Sequence, residues 1–77
     1  MKMKVVSQNT ILETLSKNDG KIRWDSINAR VHLLSNTDEV IGVIRFETYL
    51  KIIRYDCIEK TGSDYSREYY GYKGGRE

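Results

Sequence analysis

One cysteine in a chain of 77 residues restricts what this sequence can fold into more than any other single feature. A lone thiol closes no internal disulfide, and exported domains this small usually depend on several. Stability must therefore come from an apolar core, and a chain this short buries only a modest fraction of its surface. It has room for one domain, residues 1–77. Cys57 and His32 together fall short of the Cys/His set that structural zinc requires. Hydrophobic residues make up 39% of the chain, too many for a typical disordered segment.

The charge balance limits the partners. Lys and Arg number 13 against 11 Asp and Glu, for a net charge of +2, so bulk charge alone will not hold nucleic acid. No apolar run approaches the roughly 18 residues of a membrane span. Met1 to Thr10 lacks the apolar stretch of a signal peptide, and the expectation is a cytoplasmic protein with no membrane partner. The sequence contains no nucleophile–base pattern, Gly-rich phosphate loop or HExxH. The expectation is that it is not an enzyme and has no catalytic residues, cofactor or metal.

With proline absent, glycine and polar clusters punctuate the chain. Residues 1–9 read as a short strand or an extended arm. Thr10 with Glu13 has capping-box spacing, and Ile11, Leu12 and Leu15 form a stripe. A first helix is expected from Thr10 to Lys17, with Gly20 in the left-handed position behind it. Lys21 to Trp24 alternates with Ile22 and Trp24 inward, which reads as a short strand. Asp25 or Ser26 is a cap for the next element. Ile27, Val31 and Leu34 share a helical face and predict a second helix over about 26–34, with Arg30 off that face. Asn36 and Glu39 again have cap spacing, so a third helix is expected over about 37–55. Val43, Phe46, Leu50 and Ile53 form its core face, and Gly42 marks either close packing or a break. Cys57 to Thr61 and Arg67 to Tyr72 read as a hairpin around Gly62-Ser63-Asp64, with residues 74–77 as a frayed tail.

The residues that carry a resemblance are Ile11-Leu12-x-x-Leu15, Gly20-Lys21-Ile22-Arg23-Trp24, and Tyr49-Leu50-Lys51-x-Ile53 leading to Cys57-Ile58. On these the chain resembles a winged helix-turn-helix domain over roughly residues 9–73. In size and composition it is similar to small stand-alone archaeal, plasmid or viral regulators. The resemblance implies an α+β fold: a three-helix core, a small antiparallel sheet and a C-terminal hairpin wing. It also implies a regulator that binds double-stranded DNA sequence-specifically, with its third helix in the major groove and the wing on the backbone. Arg45, Thr48 and Lys51 would then read bases, and Arg23, Tyr49, Lys60, Arg67 and Lys73 would hold the backbone.

A homodimer is expected, because one small module reads few base pairs. Strand alternation sends Tyr70 and Tyr72 to one face of the hairpin and Tyr69 to the other. Whichever face stays exposed is a candidate interface for a protein partner or a stacking surface for single-stranded nucleic acid. Glu47, Asp56 and Glu59 lie near the expected DNA contacts and oppose them. The alternative is therefore a winged-helix protein–protein adaptor without direct DNA readout.

Overall fold

Val40-Ile41-Gly42-Val43-Ile44 decides how the middle of the chain folds. β-branched side chains are stiff in a helix and pack well on a pleated surface, and glycine weakens a helix interior. In the computed structural model, which describes residues 4–73, this segment is a strand. The elements run α1 (Gln8–Lys17), β1 (Lys21–Asp25), β2 (Arg30–Leu34), β3 (Val40–Ile44), α2 (Phe46–Ile52), β4 (Ile58–Ser63) and β5 (Arg67–Tyr72). The strands pair antiparallel in the order β3-β2-β1-β5-β4. β1 to β3 form a meander from the centre to one edge. α2 then carries the chain to the other edge, and β5 returns to pair with β1.

Two helices and a five-stranded sheet do not fit a three-helix winged-helix core, so that expectation is overturned. The segment expected as a second helix is a loop, 26–29, followed by β2. Val31 and Leu33 satisfy strand alternation and meet Trp24 and Ile22 across β1, while Ile27 is 69% exposed. The helical spacing of Ile27, Val31 and Leu34 is a coincidence of short apolar runs. The expected third helix is a turn, then β3, then the seven residues of α2. Gly42 breaks no helix. It lets the N-terminal arm approach β3, since a Cβ there would lie 2.7 Å from the Lys4 carbonyl oxygen. The arm is bound as an extended segment: Val5 bridges Val43 in parallel, with Val6 N–H donating to the Val43 carbonyl at 3.0 Å.

Other expectations hold with adjusted boundaries. The first helix begins at Gln8, earlier than expected, because Ser7 is its N-cap and accepts from Thr10 N–H at 3.2 Å. Its left-handed residue is Asp19, at φ 56°, and not Gly20. The short first strand is present with Ile22 and Trp24 inward, and so is the hairpin. The tail expected at 74–77 lies outside the described residues.

Both helices pack on one face of the sheet. Ile11 and Leu15 of α1 and Tyr49 and Ile52 of α2 close over Ile22, Val31, Leu33, Ile44 and Ile58. Burying each such aliphatic side chain is worth roughly 1.5–3 kcal/mol. The outer edge of β4 pairs with no strand among the described residues. A bulge between Lys60 and Gly62 and the Lys60 charge discourage pairing with another chain there.

Asp25 caps a hairpin loop, where a helix cap was expected. Its Oδ1 accepts from Ile27 N–H at 3.1 Å and Asn28 N–H at 3.3 Å, and its Oδ2 accepts from Asn28 Nδ2 at 2.9 Å. The loop closes through Ala29 at φ 53°, a conformation that a Cβ disfavours by about 1 kcal/mol or more. Ala29→Gly is therefore expected to stabilise the protein by about 0.5–1 kcal/mol in chemical denaturation, because relief of the strain outweighs the added freedom of the unfolded chain. A loss of stability would show that the Ala29 methyl makes a contact worth more than the strain.

Candidate functional site

Strand alternation divides the sheet side chains between two faces. Ile22, Trp24, Val31, Leu33, Ile44 and Tyr70 point toward the helices. Among the described residues, no helix or strand covers the opposite face. There the register aligns Tyr69, Arg23 and His32 in one row across β5, β1 and β2, and Arg67, Asp25 and Arg30 in the next. Neighbours within a row stand about 5 Å apart, and the rows are about 7 Å apart along the strands. Three guanidiniums, an imidazole and a phenol thus share one surface.

The electrostatics of the two rows leave Arg23 and Arg30 without an ion-pair partner among the described residues. Arg23 Nη2 lies 3.3 Å from His32 Nδ1. Burial holds the His32 pKa below its ordinary value, and the Arg23 and Arg30 charges add to that effect. The ring is therefore neutral at pH 7, and Nδ1 accepts from Arg23. Arg23 Nε is buried with no hydrogen-bond partner among the described residues. Asp25 is the one carboxylate in these rows and is only 4% exposed. Its hydrogen bond from the Asn28 side chain holds its carboxyl below the ordinary value of 3.8. Burial opposes this, while the Asn28 and Ile27 N–H groups and the Arg67 charge reinforce it. Arg67 Nε is 3.7 Å from Asp25 Oδ2, so one of the three guanidiniums is partly compensated.

Beside the first row the surface dips into a depression of about 280 Å³, bordered by Lys21, Arg23, Leu34, Asp38, Thr61 and Tyr69. Lys21 Nζ donates to Asp38 Oδ1 at 2.8 Å across its rim. Leu34, which also borders it, is fully buried yet outside the core cluster under the helices.

The residues expected to contact DNA fall in different places. Arg23 and Arg67 lie on the open face. Arg45, the N-cap of α2, and Lys51, in its last turn, are exposed, and Thr48 is half-buried, but all three belong to the opposite, helical layer. Tyr49 is 4% exposed, stacked on Trp24 at a centroid distance of 5.8 Å, so it is closed to any backbone contact. Lys60 pairs with Glu68 at 3.7 Å, and Lys73 is exposed at the end of the described chain.

The tyrosines separate as alternation required. Tyr69 is on the open face. Tyr70 is on the helical side, edge-on to Tyr49 and donating to Glu68 Oε1 at 3.0 Å. Burial pushes the Tyr70 phenol up, and Tyr70 is core rather than interface. Tyr72, opposite Ile58, is partly exposed. Lys21, Arg30 and Asp38 are site residues that the sequence reading does not assign to a site, and His32, considered there as a metal ligand, is not placed beside Arg23. Alternation through Arg30-Val31-His32-Leu33 is the signal that would find Arg30 and His32.

No cluster of three His, Cys, Asp or Glu side chains among the described residues is arranged to hold a metal ion. No helix among them is long and apolar enough to cross a membrane. Compared with protein-family models, with curated proteins and with solved structures, the chain matches none.

Proposed function

We propose that the protein binds single-stranded nucleic acid on the open face of its sheet. The observation that carries this is the juxtaposition of Tyr69, Arg23 and His32 with Arg67 and Arg30 in two adjacent rows, facing away from the helices. Arginines on such a surface neutralise phosphates, and a phenol or guanidinium plane stacks on a base. The roughly 7 Å between rows suits successive nucleotides of an extended strand. A five-stranded sheet spans about 19 Å between its outer strands, too wide for the roughly 12 Å major groove of a duplex. The helical route into that groove is lost with the third helix, since α2 has seven residues and carries Glu47 in its first turn.

The test is fluorescence-anisotropy titration with single-stranded and duplex DNA at about 50 and about 200 mM salt. Single-stranded binding that weakens steeply with salt supports the proposal. Tighter binding to duplex, or no binding at low salt by folded protein, rejects it. A second reading, a protein-binding module, draws on Phe46 and Leu50, which are 51% and 38% exposed one turn apart on α2. Absence of nucleic-acid binding would give it priority.

A further inference from the structure

We infer that the depression beside Tyr69 is a base pocket that selects guanine. This rests on the single-strand reading and adds a base preference to it. The pocket volume of about 280 Å³ holds one nucleobase with room for its solvent. Tyr69 and the Arg23 guanidinium, cross-strand partners, offer flat surfaces on one side. The polar part of the rim is the Lys21–Asp38 pair.

That pair presents two carboxylate oxygens flanked by an ammonium. Oδ1 accepts from Lys21 Nζ at 2.8 Å, and Oδ2 has no partner among the described residues. The Watson–Crick edge of guanine is the complement: N1–H and N2–H are adjacent donors for the two oxygens, and O6, next to N1, accepts from Lys21. Adenine offers this pair one donor and one acceptor, cytosine and thymine one donor and two acceptors, so each leaves a carboxylate oxygen without an adjacent donor. Asp38 sits at φ 69°, where glycine or asparagine is easier to accommodate, so its carboxylate is held in a backbone conformation that a neutral residue would fill at no greater strain.

The experiment uses nine-residue thymidine oligonucleotides with a single central guanine, adenine, cytosine or hypoxanthine, titrated by anisotropy. The guanine strand is expected to bind about tenfold more tightly than the adenine and cytosine strands. Hypoxanthine, which lacks the N2 amino group, is expected to lose most of that advantage. Asp38→Asn is expected to lose the guanine preference, because its amide offers one acceptor beside one donor, and to bind the adenine strand no more weakly than the natural protein does, because a negative charge has been removed while the left-handed turn is kept. Equal affinities for all four strands in the natural protein, or a guanine preference that survives Asp38→Asn, overturns the base pocket and leaves the single-strand reading standing. Failure of every strand to bind overturns both.

Discussion

Gly20→Ala is expected to lower stability by about 2–4 kcal/mol, and its cause is packing rather than backbone conformation. A Cβ at Gly20 would lie 2.5 Å from Thr14 Cγ2 and 2.6 Å from the Leu34 carbonyl oxygen. Neither neighbour can yield cheaply. Thr14 is buried on α1, and its carbonyl accepts from both Asn18 N–H and Gly20 N–H. The Leu34 oxygen belongs to the end of β2, whose partner across β1 is Lys21. The substitution must therefore separate α1 from the sheet at the point where the helix turns into β1. Overpacking of this kind costs about 1–3 kcal/mol and sometimes more. A chain of 77 residues has roughly 4–11 kcal/mol in total. Urea unfolding followed by the fluorescence of Trp24, the one tryptophan, should show a midpoint lowered by 2 M or more at an m-value of about 1 kcal/mol/M. A midpoint within about 0.5 M of the natural protein would mean that α1 does not press on the β1–β2 pair as described.

The same region shows what the sequence made legible and what it concealed. The turn at Lys17 to Gly20 is readable because polar residues followed by glycine end helices, but the reason glycine is needed is not. Asp19 takes the left-handed conformation, and Gly20 accommodates a strand that is 14 residues further along the chain. Local chemistry marks a boundary, whereas the atom pressing on it belongs to tertiary structure. The hairpin of β4 and β5 is legible for the same local reasons, with Ile58 on one side of a polar turn and the tyrosine-rich run of β5 on the other.

The middle of the chain misleads because runs of five residues are too short to separate the two periods. Val31 and Leu34 satisfy a helix, and Val31 and Leu33 satisfy a strand. What decides between them is the presence of Ile22 and Trp24 on β1 as partners, a non-local fact. The error propagates to the site. A helix over 26–34 puts Arg30 and His32 on unrelated faces, whereas a strand puts them on one face beside Arg23 and Arg67. The net charge of +2 conceals it further, because it averages these rows, which hold Asp25 as their one carboxylate, with the other acidic residues of the chain.

The two faces can be told apart by neutralising each in turn. Arg23→Gln with Arg30→Gln is expected to weaken single-stranded DNA binding on the order of 25-fold at about 0.1 M salt. It should also make the plot of log affinity against log salt shallower by about 1.4, since each phosphate contact on a single strand contributes a slope near 0.7. Arg45→Gln with Lys51→Gln removes the same formal charge from the helical layer and is expected to change affinity less than about threefold. The pairs are matched in charge, so long-range attraction, which depends on net charge, affects both alike. Only direct contact separates them. Arg30 is exposed, and Arg23 is half-buried against His32, so glutamine at both positions keeps a hydrogen-bonding side chain where a guanidinium stood and should leave the fold intact. If the helical pair proved the more damaging, the nucleic acid would lie along α2 and the open face would be a solvated surface. If both pairs cost equally, binding would be governed by net charge and neither face would be a site.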